Sequence, residues 1–170
     1  MTKGGPARMT AAGDDDVVVF LIGMRINKWR ALRQWTPVVG AMPRMLRELG
    51  ADPELGLLDA RTYVSGRVLL VVQYWRSFEH LREYSRATDR EHLPAWRRFN
   101  QRARSGGDGI GIFHETYVVP AGSRESIYVG MPAYGLARAF GEAPVAGRGQ
   151  TAARRMDPAS TDEPGVPLPA

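Results

Sequence analysis

Two stretches of this sequence, Val17 to Arg25 and Val68 to Val72, are apolar at consecutive positions rather than at every second position. Both are rich in valine and other strand-forming residues, which favours β-strands. The side chains of a strand alternate between the two faces of its sheet, so a strand that is apolar throughout must be covered on both faces. We therefore expect a sheet with two buried faces.

The segments around these two stretches predict the remaining elements. Apolar residues at three-to-four spacing predict a helix from Trp29 to Leu49, bent or broken near Pro37 and Pro43 because proline lacks the amide donor. Further elements follow from apolar periodicity, turn residues and capping residues. They are a hairpin over Leu57 to Val64 and Arg67 to Trp75, helices after Ser77 and near Pro94, and strands over Ile110 to Val119 and Ser126 to Met131.

The resulting order is βαββαβ with an extra C-terminal strand. This order is typical of an α+β, ferredoxin-like sheet with its helices on one face. The other face then needs a cover, and one common solution packs two such sheets face to face across a dimer. The sequence therefore predicts a dimeric α/β barrel and a homodimer.

The two ends of the chain differ in composition from the centre. Residues 1–16 combine small residues with the acidic triplet Asp14 to Asp16, and residues 141–170 hold few large apolar side chains. Such segments bury too little surface to offset the entropy of ordering. We expect both ends to be unstructured, with one domain over residues 17–140.

Composition excludes several classes of site. The chain has no cysteine and only three scattered histidines, so we expect no disulfide and no protein-bound metal. The N-terminus has no signal-peptide pattern, and no apolar stretch is long enough to cross a membrane. We therefore expect a cytoplasmic protein without a membrane partner.

The formal net charge is +5, which raises the question of nucleic-acid binding. Nearly all of the positive charge is arginine spread over the helices, and no known nucleic-acid-binding motif accompanies it. We expect no nucleic-acid partner.

His114 is the first candidate catalytic residue. Alternation in its strand places it on one face with Ile112 and Thr116, facing an apolar layer. A neutral imidazole there can take a proton from an acidic phenol or enol, and the resulting carbanion-like species can react with dioxygen. The alternative is a core histidine satisfied by one hydrogen bond.

Six further residues are candidates for binding a flat substrate. Aromatic side chains line such pockets, and a few polar groups fix the orientation of the ligand. Core packing is the alternative for the aromatic residues, and simple exposure before a helix is the alternative for the histidine. The six are Tyr74, His92, Trp96, Phe99, Asn100 and Tyr117.

Four segments of the sequence carry a resemblance to a known family. They are Gln73 to Ser77, Ala95 to Asn100, Gly111 to Pro120 and Ser126 to Pro132. The chain resembles, from about Val18 to Phe140, a bacterial family long catalogued as a domain of unknown function. Fungal relatives of that family include the monooxygenase of fumagillin biosynthesis.

The resemblance implies a place among the dimeric α/β-barrel proteins. That group includes cofactor-free antibiotic-biosynthesis monooxygenases and, more distantly, haem enzymes such as aldoxime dehydratases and chlorite dismutases. Because one fold hosts many activities, three hypotheses stay open. The first is a cofactor-independent monooxygenase-like enzyme acting on a small aromatic or polyketide-like molecule. The second is a haem protein with His114 as axial ligand, and the third is a non-catalytic dimer that binds a small molecule.

Overall fold

The structure is a computed structural model that describes residues 7–88 and 108–163. These residues form two compact units. One lies within residues 18–118, and the other combines residues 7–17 with residues 119–163. The domain predicted for residues 17–140 is therefore divided between the two units.

The first unit is built on a four-stranded sheet. Its strands are β2 (Val17–Ile26), β3 (Leu57–Ser65), β4 (Val68–Trp75) and β5 (Ile110–Val119), and they lie in the order β3-β4-β2-β5. Strand β4 pairs antiparallel with both β2 and β3. This is the strand order of a ferredoxin-like sheet, and it confirms the predicted fold class.

Two described helices belong to this unit, α1 (Leu32–Ala51) and α2 (Phe78–Arg86). Ser77 caps α2, as the sequence predicts, by accepting a hydrogen bond from the His80 amide. Helix α1 is continuous through both of its prolines, so the predicted break is absent. A proline removes only one hydrogen bond of the helix, and the burial of Ala41, Met45 and Leu49 along one face stabilises the rest.

The helices cover one face of the sheet, and Trp75 lies at the centre of that contact. Trp75 is 1% exposed and packs with Leu81 and Tyr84 of α2 in a core that also contains Val18 and Leu49. Its indole N–H donates to Gln73 Oε1 at 2.8 Å. Alternation along β4 therefore assigns Gln73 and Trp75 to the helix-covered face, which we call the helix face.

The opposite face, here called the open face, carries the other half of each strand. Val19 lies opposite Tyr74 in the sheet and Leu21 lies opposite Val72, and all four are only half-buried. Phe113 of β5 is also on this face, because a Cβ atom built on Gly23 would lie 2.4 Å from its ring. The part of the open face formed by β2 and β4 is thus largely apolar, as predicted.

The second unit corrects the expectation of unstructured ends. Residues 8–11 form strand β1 (Arg8–Ala11), which pairs antiparallel with β6 (Tyr128–Val129) and β7 (Glu142–Pro144). The predicted fifth strand is therefore shorter than expected and belongs to this separate sheet. The unit also contains helices α3 (Leu136–Phe140) and α4 (Ala152–Met156) and a 3-10 turn over Val145–Gly147.

Specific polar contacts, rather than apolar composition, order these ends. The guanidinium of Arg148 donates to the Ala12 carbonyl and the Asp14 carboxylate, and Arg124 donates to the carbonyls of Gly13 and Asp15. Val145 is 2% exposed and supplies a small core. The expectation of disorder is therefore wrong for the described parts of residues 1–16 and 141–170. No helix within the described ranges is long and apolar enough to cross a membrane.

Candidate functional site

The candidate site is on β5, an edge strand of the main sheet. The His114 imidazole lies against the ring of Phe20, with 5.8 Å between ring centroids and 44° between ring planes. Phe20 lies opposite Gln73 in the sheet and packs against the core around Trp75. His114 is therefore on the helix face, with Ile112 and Thr116 on the same side of its strand.

The environment of His114 differs from the enclosed apolar layer that the sequence predicts. Its side chain is exposed, and so is that of Thr116, whereas Ile112 is half-buried. One side of the imidazole therefore contacts an aromatic ring and the other is accessible. Such a histidine can receive a proton from a bound molecule without a large rearrangement of the core.

Tyr117 and Tyr74 are on the open face, opposite to His114. Tyr74 adjoins Trp75 in β4, and Tyr117 is three residues from His114 in β5, so alternation separates both from the imidazole. Of the predicted site residues within the described ranges, the structure thus places His114 on one face and the two tyrosines on the other. No predicted substrate residue is brought next to His114 there.

Tyr117 instead forms a pair with Glu115 on the open face. Its hydroxyl donates to Glu115 Oε2 at 2.6 Å. This hydrogen bond, together with the negative charge of the carboxylate, raises the pKa of Tyr117 above the ordinary value of a phenol. Both side chains are exposed when one chain is considered without a partner.

The other four predicted substrate residues, His92, Trp96, Phe99 and Asn100, lie outside the described residues. Their assignment stays a prediction. His80, the remaining histidine of the chain, contacts the Ser77 hydroxyl through Nδ1 at 2.7 Å. It belongs to the cap of α2 and is not part of the candidate site.

Sequence reasoning missed Phe20 as a neighbour of His114. Its signal was available, because the predicted ferredoxin-like order places the first strand of the motif beside the last one, and Phe20 has the same parity as Val18 and Ile22 along β2. Among the residues that the structure describes, no group of three or more histidine or carboxylate side chains is arranged to hold a metal ion.

Comparison with known proteins gives the family. A model of the monooxygenase af470-like family matches residues 17–136 of this chain. The monooxygenase af470 of Aspergillus fumigatus is 28% identical over 127 residues, which are 69% of this chain and 44% of that protein. The chain thus spans less than half the length of this curated relative.

A solved structure of an enzyme with 17% identity shows the same fold. A crystal structure of an aldoxime dehydratase in complex with butyraldoxime matches with a TM-score of 0.61 and 17% identity, covering 82% of this chain and 41% of that one. A cofactor-independent oxygenase from Streptomyces nogalater, SnoaB, matches with a TM-score of 0.43 and 11% identity, covering 60% of this chain and 91% of that one.

Proposed function

This chain belongs to the monooxygenase af470-like family, and we propose that it is a cofactor-independent monooxygenase-like enzyme acting on a small aromatic or polyketide-like substrate. The single observation that supports this proposal is the position of His114. It is an accessible imidazole on an edge strand, held on one side by the Phe20 ring. An accessible base beside an aromatic surface suits the deprotonation of a flat, acidic molecule.

In the proposed reaction, His114 removes a proton from an activated CH₂ group that is conjugated with a phenol or enol. The carbanion transfers electrons to dioxygen, a carbon–oxygen bond forms, and protonation gives a hydroperoxide. Loss of water then leaves a carbonyl, so that CH₂ and O₂ become C=O and H₂O. Dioxygen is the only oxidant, and His114 returns the proton that it accepted.

Haem is the alternative cofactor that the wider fold family suggests. Haem binding needs an accessible imidazole nitrogen as axial ligand and a flat apolar slot that covers both faces of the porphyrin. His114 offers the first, but its aromatic contact within the described ranges, Phe20, lies against the imidazole itself and does not form such a slot. The described site therefore does not fit haem, and we assign no step to it.

We propose in addition that the functional protein is a homodimer whose sheets meet at their open faces. Tyr63, Phe113 and Tyr117 are 41%, 41% and 50% exposed, although each lies on a sheet face with half-buried apolar neighbours. An apolar surface of this kind is typical of a protein interface. Light scattering should give twice the 18.8 kDa of one chain, and a mass of one chain at micromolar concentration would contradict the dimer.

The activity is tested by oxygen uptake with a panel of polycyclic phenols and enols that carry an activated CH₂ group. We expect uptake with at least one compound, its loss in His114→Ala, and its retention in His80→Ala, which removes a histidine outside the site. An absorption spectrum of protein expressed with haem supplied gives a second readout. A Soret band lost in His114→Ala would support haem, and a colourless protein that binds the panel compounds without uptake would support a non-catalytic binding dimer.

A further inference from the structure

Charge is distributed unevenly along this chain. Residues 17–47 contain six cations and no aspartate or glutamate. Because the whole chain has a net charge of +5, the remaining residues together carry one net negative charge. The excess positive charge therefore belongs to one continuous segment, β2 and most of α1, rather than to the surface as a whole.

The structure concentrates much of that charge at one end of the main sheet. Arg25 is the exposed residue of β2, next to the end of that strand, and Lys28, Arg30 and Arg33 surround the start of α1; all four are exposed. Arg67, from the turn between β3 and β4, joins them by donating to the carbonyl of Asn27.

Two large apolar side chains lie within this group of cations. Trp29 is 48% exposed and Leu32 is 55% exposed. Trp29 is nevertheless held in place, because its carbonyl accepts the indole N–H of Trp35 at 3.1 Å and the two rings meet edge to face at 6.2 Å. We call this surface the basic aromatic patch; it consists of Arg25, Lys28, Trp29, Arg30, Leu32, Arg33 and Arg67.

Among the residues that the structure describes, most charges of the patch have no acidic partner. Lys28 pairs with Asp108 at 2.6 Å. Within the described ranges, no carboxylate forms an ion pair with Arg25, Arg30, Arg33 or Arg67. A surface on which cations outnumber acids in this way disfavours contact with a second copy of itself and favours an anionic partner.

We propose that the basic aromatic patch docks this protein on an anionic lipid surface. Tryptophan and leucine side chains that project beside arginine and lysine suit the boundary between headgroups and acyl chains, where the apolar groups insert and the cations meet lipid phosphates and carboxylates. A nucleic acid would bind the cations through its phosphates and stack a base on the indole, but it would not bury the exposed leucine. The expectation of no membrane partner rests on spanning segments alone, whereas this proposal concerns peripheral binding and does not depend on the proposed activity.

The test is co-sedimentation of the full chain with sucrose-loaded vesicles. At 0.1 M salt we expect binding to vesicles of phosphatidylcholine with 30% phosphatidylserine and little binding to phosphatidylcholine alone. Each cation near an anionic surface contributes about fivefold to the partition coefficient, so Arg30→Ala/Arg33→Ala should lower it by roughly 25-fold. Arg82→Ala/Arg86→Ala removes the same charge from exposed positions of α2 and should lower it much less.

Insertion of the apolar side chains has a separate readout. Tryptophan emission should shift to the blue on adding the anionic vesicles, and Trp29→Ala should reduce both this shift and the binding. Three results would each overturn the proposal. The first is an equal loss of binding in the two double arginine variants, and the second is no binding of the wild type to anionic vesicles. The third is displacement from the vesicles by a short DNA duplex that binds the patch more tightly.

Discussion

Arg155 of α4 offers a direct test of whether the C-terminal segment is part of the fold. Its side chain is 6% exposed, and its Nε and Nη2 donate to Glu125 Oε2 at 3.0 and 2.7 Å. Its Nη1 donates to the carbonyls of Gly149 and Gln150 at 3.1 and 3.0 Å. We expect Arg155→Met to break this network while retaining most of the apolar volume of the side chain.

The magnitude follows from what the substitution leaves behind. The Glu125 side chain is 29% exposed, so its carboxylate loses its partner in a partly desolvated place. A hydrogen bond to a charged group contributes about 1.5–3 kcal/mol, whereas water can replace the donor at the more accessible carbonyls. We expect a loss of about 2 kcal/mol in the free energy of opening this unit, which corresponds to roughly a 30-fold change in the opening equilibrium.

Hydrogen exchange measured by mass spectrometry on peptides covering β1 is the appropriate assay, because β1 pairs with both β6 and β7 in the same unit. Arg154→Met is the matched control: it removes the same charge from the same helix and, among the described residues, loses one hydrogen bond of 3.3 Å, to the Ser160 carbonyl. Truncation after Phe140 should accelerate exchange further. Exchange within threefold of wild type in both Arg155→Met and the truncated chain would refute the reasoning.

Three further predictions concern the main sheet. His114→Ala should abolish the proposed oxygen uptake yet lower the free energy of unfolding by less than about 1 kcal/mol, measured by urea denaturation, because the side chain is exposed. Gly23→Ala should cost about 1–3 kcal/mol in the same assay, since its Cβ would meet the Phe113 ring, and the cost should fall in a Phe113→Ala background. Absorbance titration at 295 nm should give a Tyr117 pKa above that of a free phenol, and this pKa should fall in Glu115→Ala. Because folding raises the Tyr117 pKa, the pair stabilises the protein below pH 10, and this contribution is lost as the pH rises through the raised pKa.

Much of the main sheet could be predicted from the sequence, because its signals are local. Strand β4 and its neighbour β2 are continuous apolar runs, and Ser65 and Gly66 mark the hairpin turn between β3 and β4. The cap at Ser77 and the apolar periodicity of α2 are also local features. The apolar character of β2 and β4 on both faces is likewise visible in the composition of the strands, without knowledge of any long-range contact.

The second unit could not be predicted in the same way, because its order depends on contacts between distant parts of the chain. Arg148 and Arg124 are 136 and 111 residues from the carbonyls of Ala12 and Gly13 to which they donate. Arg124 also lies 4.3 Å above the centroid of the Phe140 ring. In the sequence these two arginines lie far from their partners in residues 12–15, so no local pattern indicates the pairing. The hydrogen bonds that order the segment appear only when both ends are brought together.

Two of the predicted site residues conflict with the alternation of side chains along a strand, which is the same rule that placed His114. Tyr117 is three positions from His114, so in a regular strand the two side chains must lie on opposite faces. Tyr74 adjoins Trp75, which the core requires on the helix face, and it is therefore directed to the open face as well. These tyrosines were grouped with His114 because they are aromatic, although their positions along the strands place them on the opposite face. On the structure they belong with Phe113 and Glu115, so any role they have concerns the surface that we assign to the partner sheet, while the base of the proposed reaction acts on the opposite side.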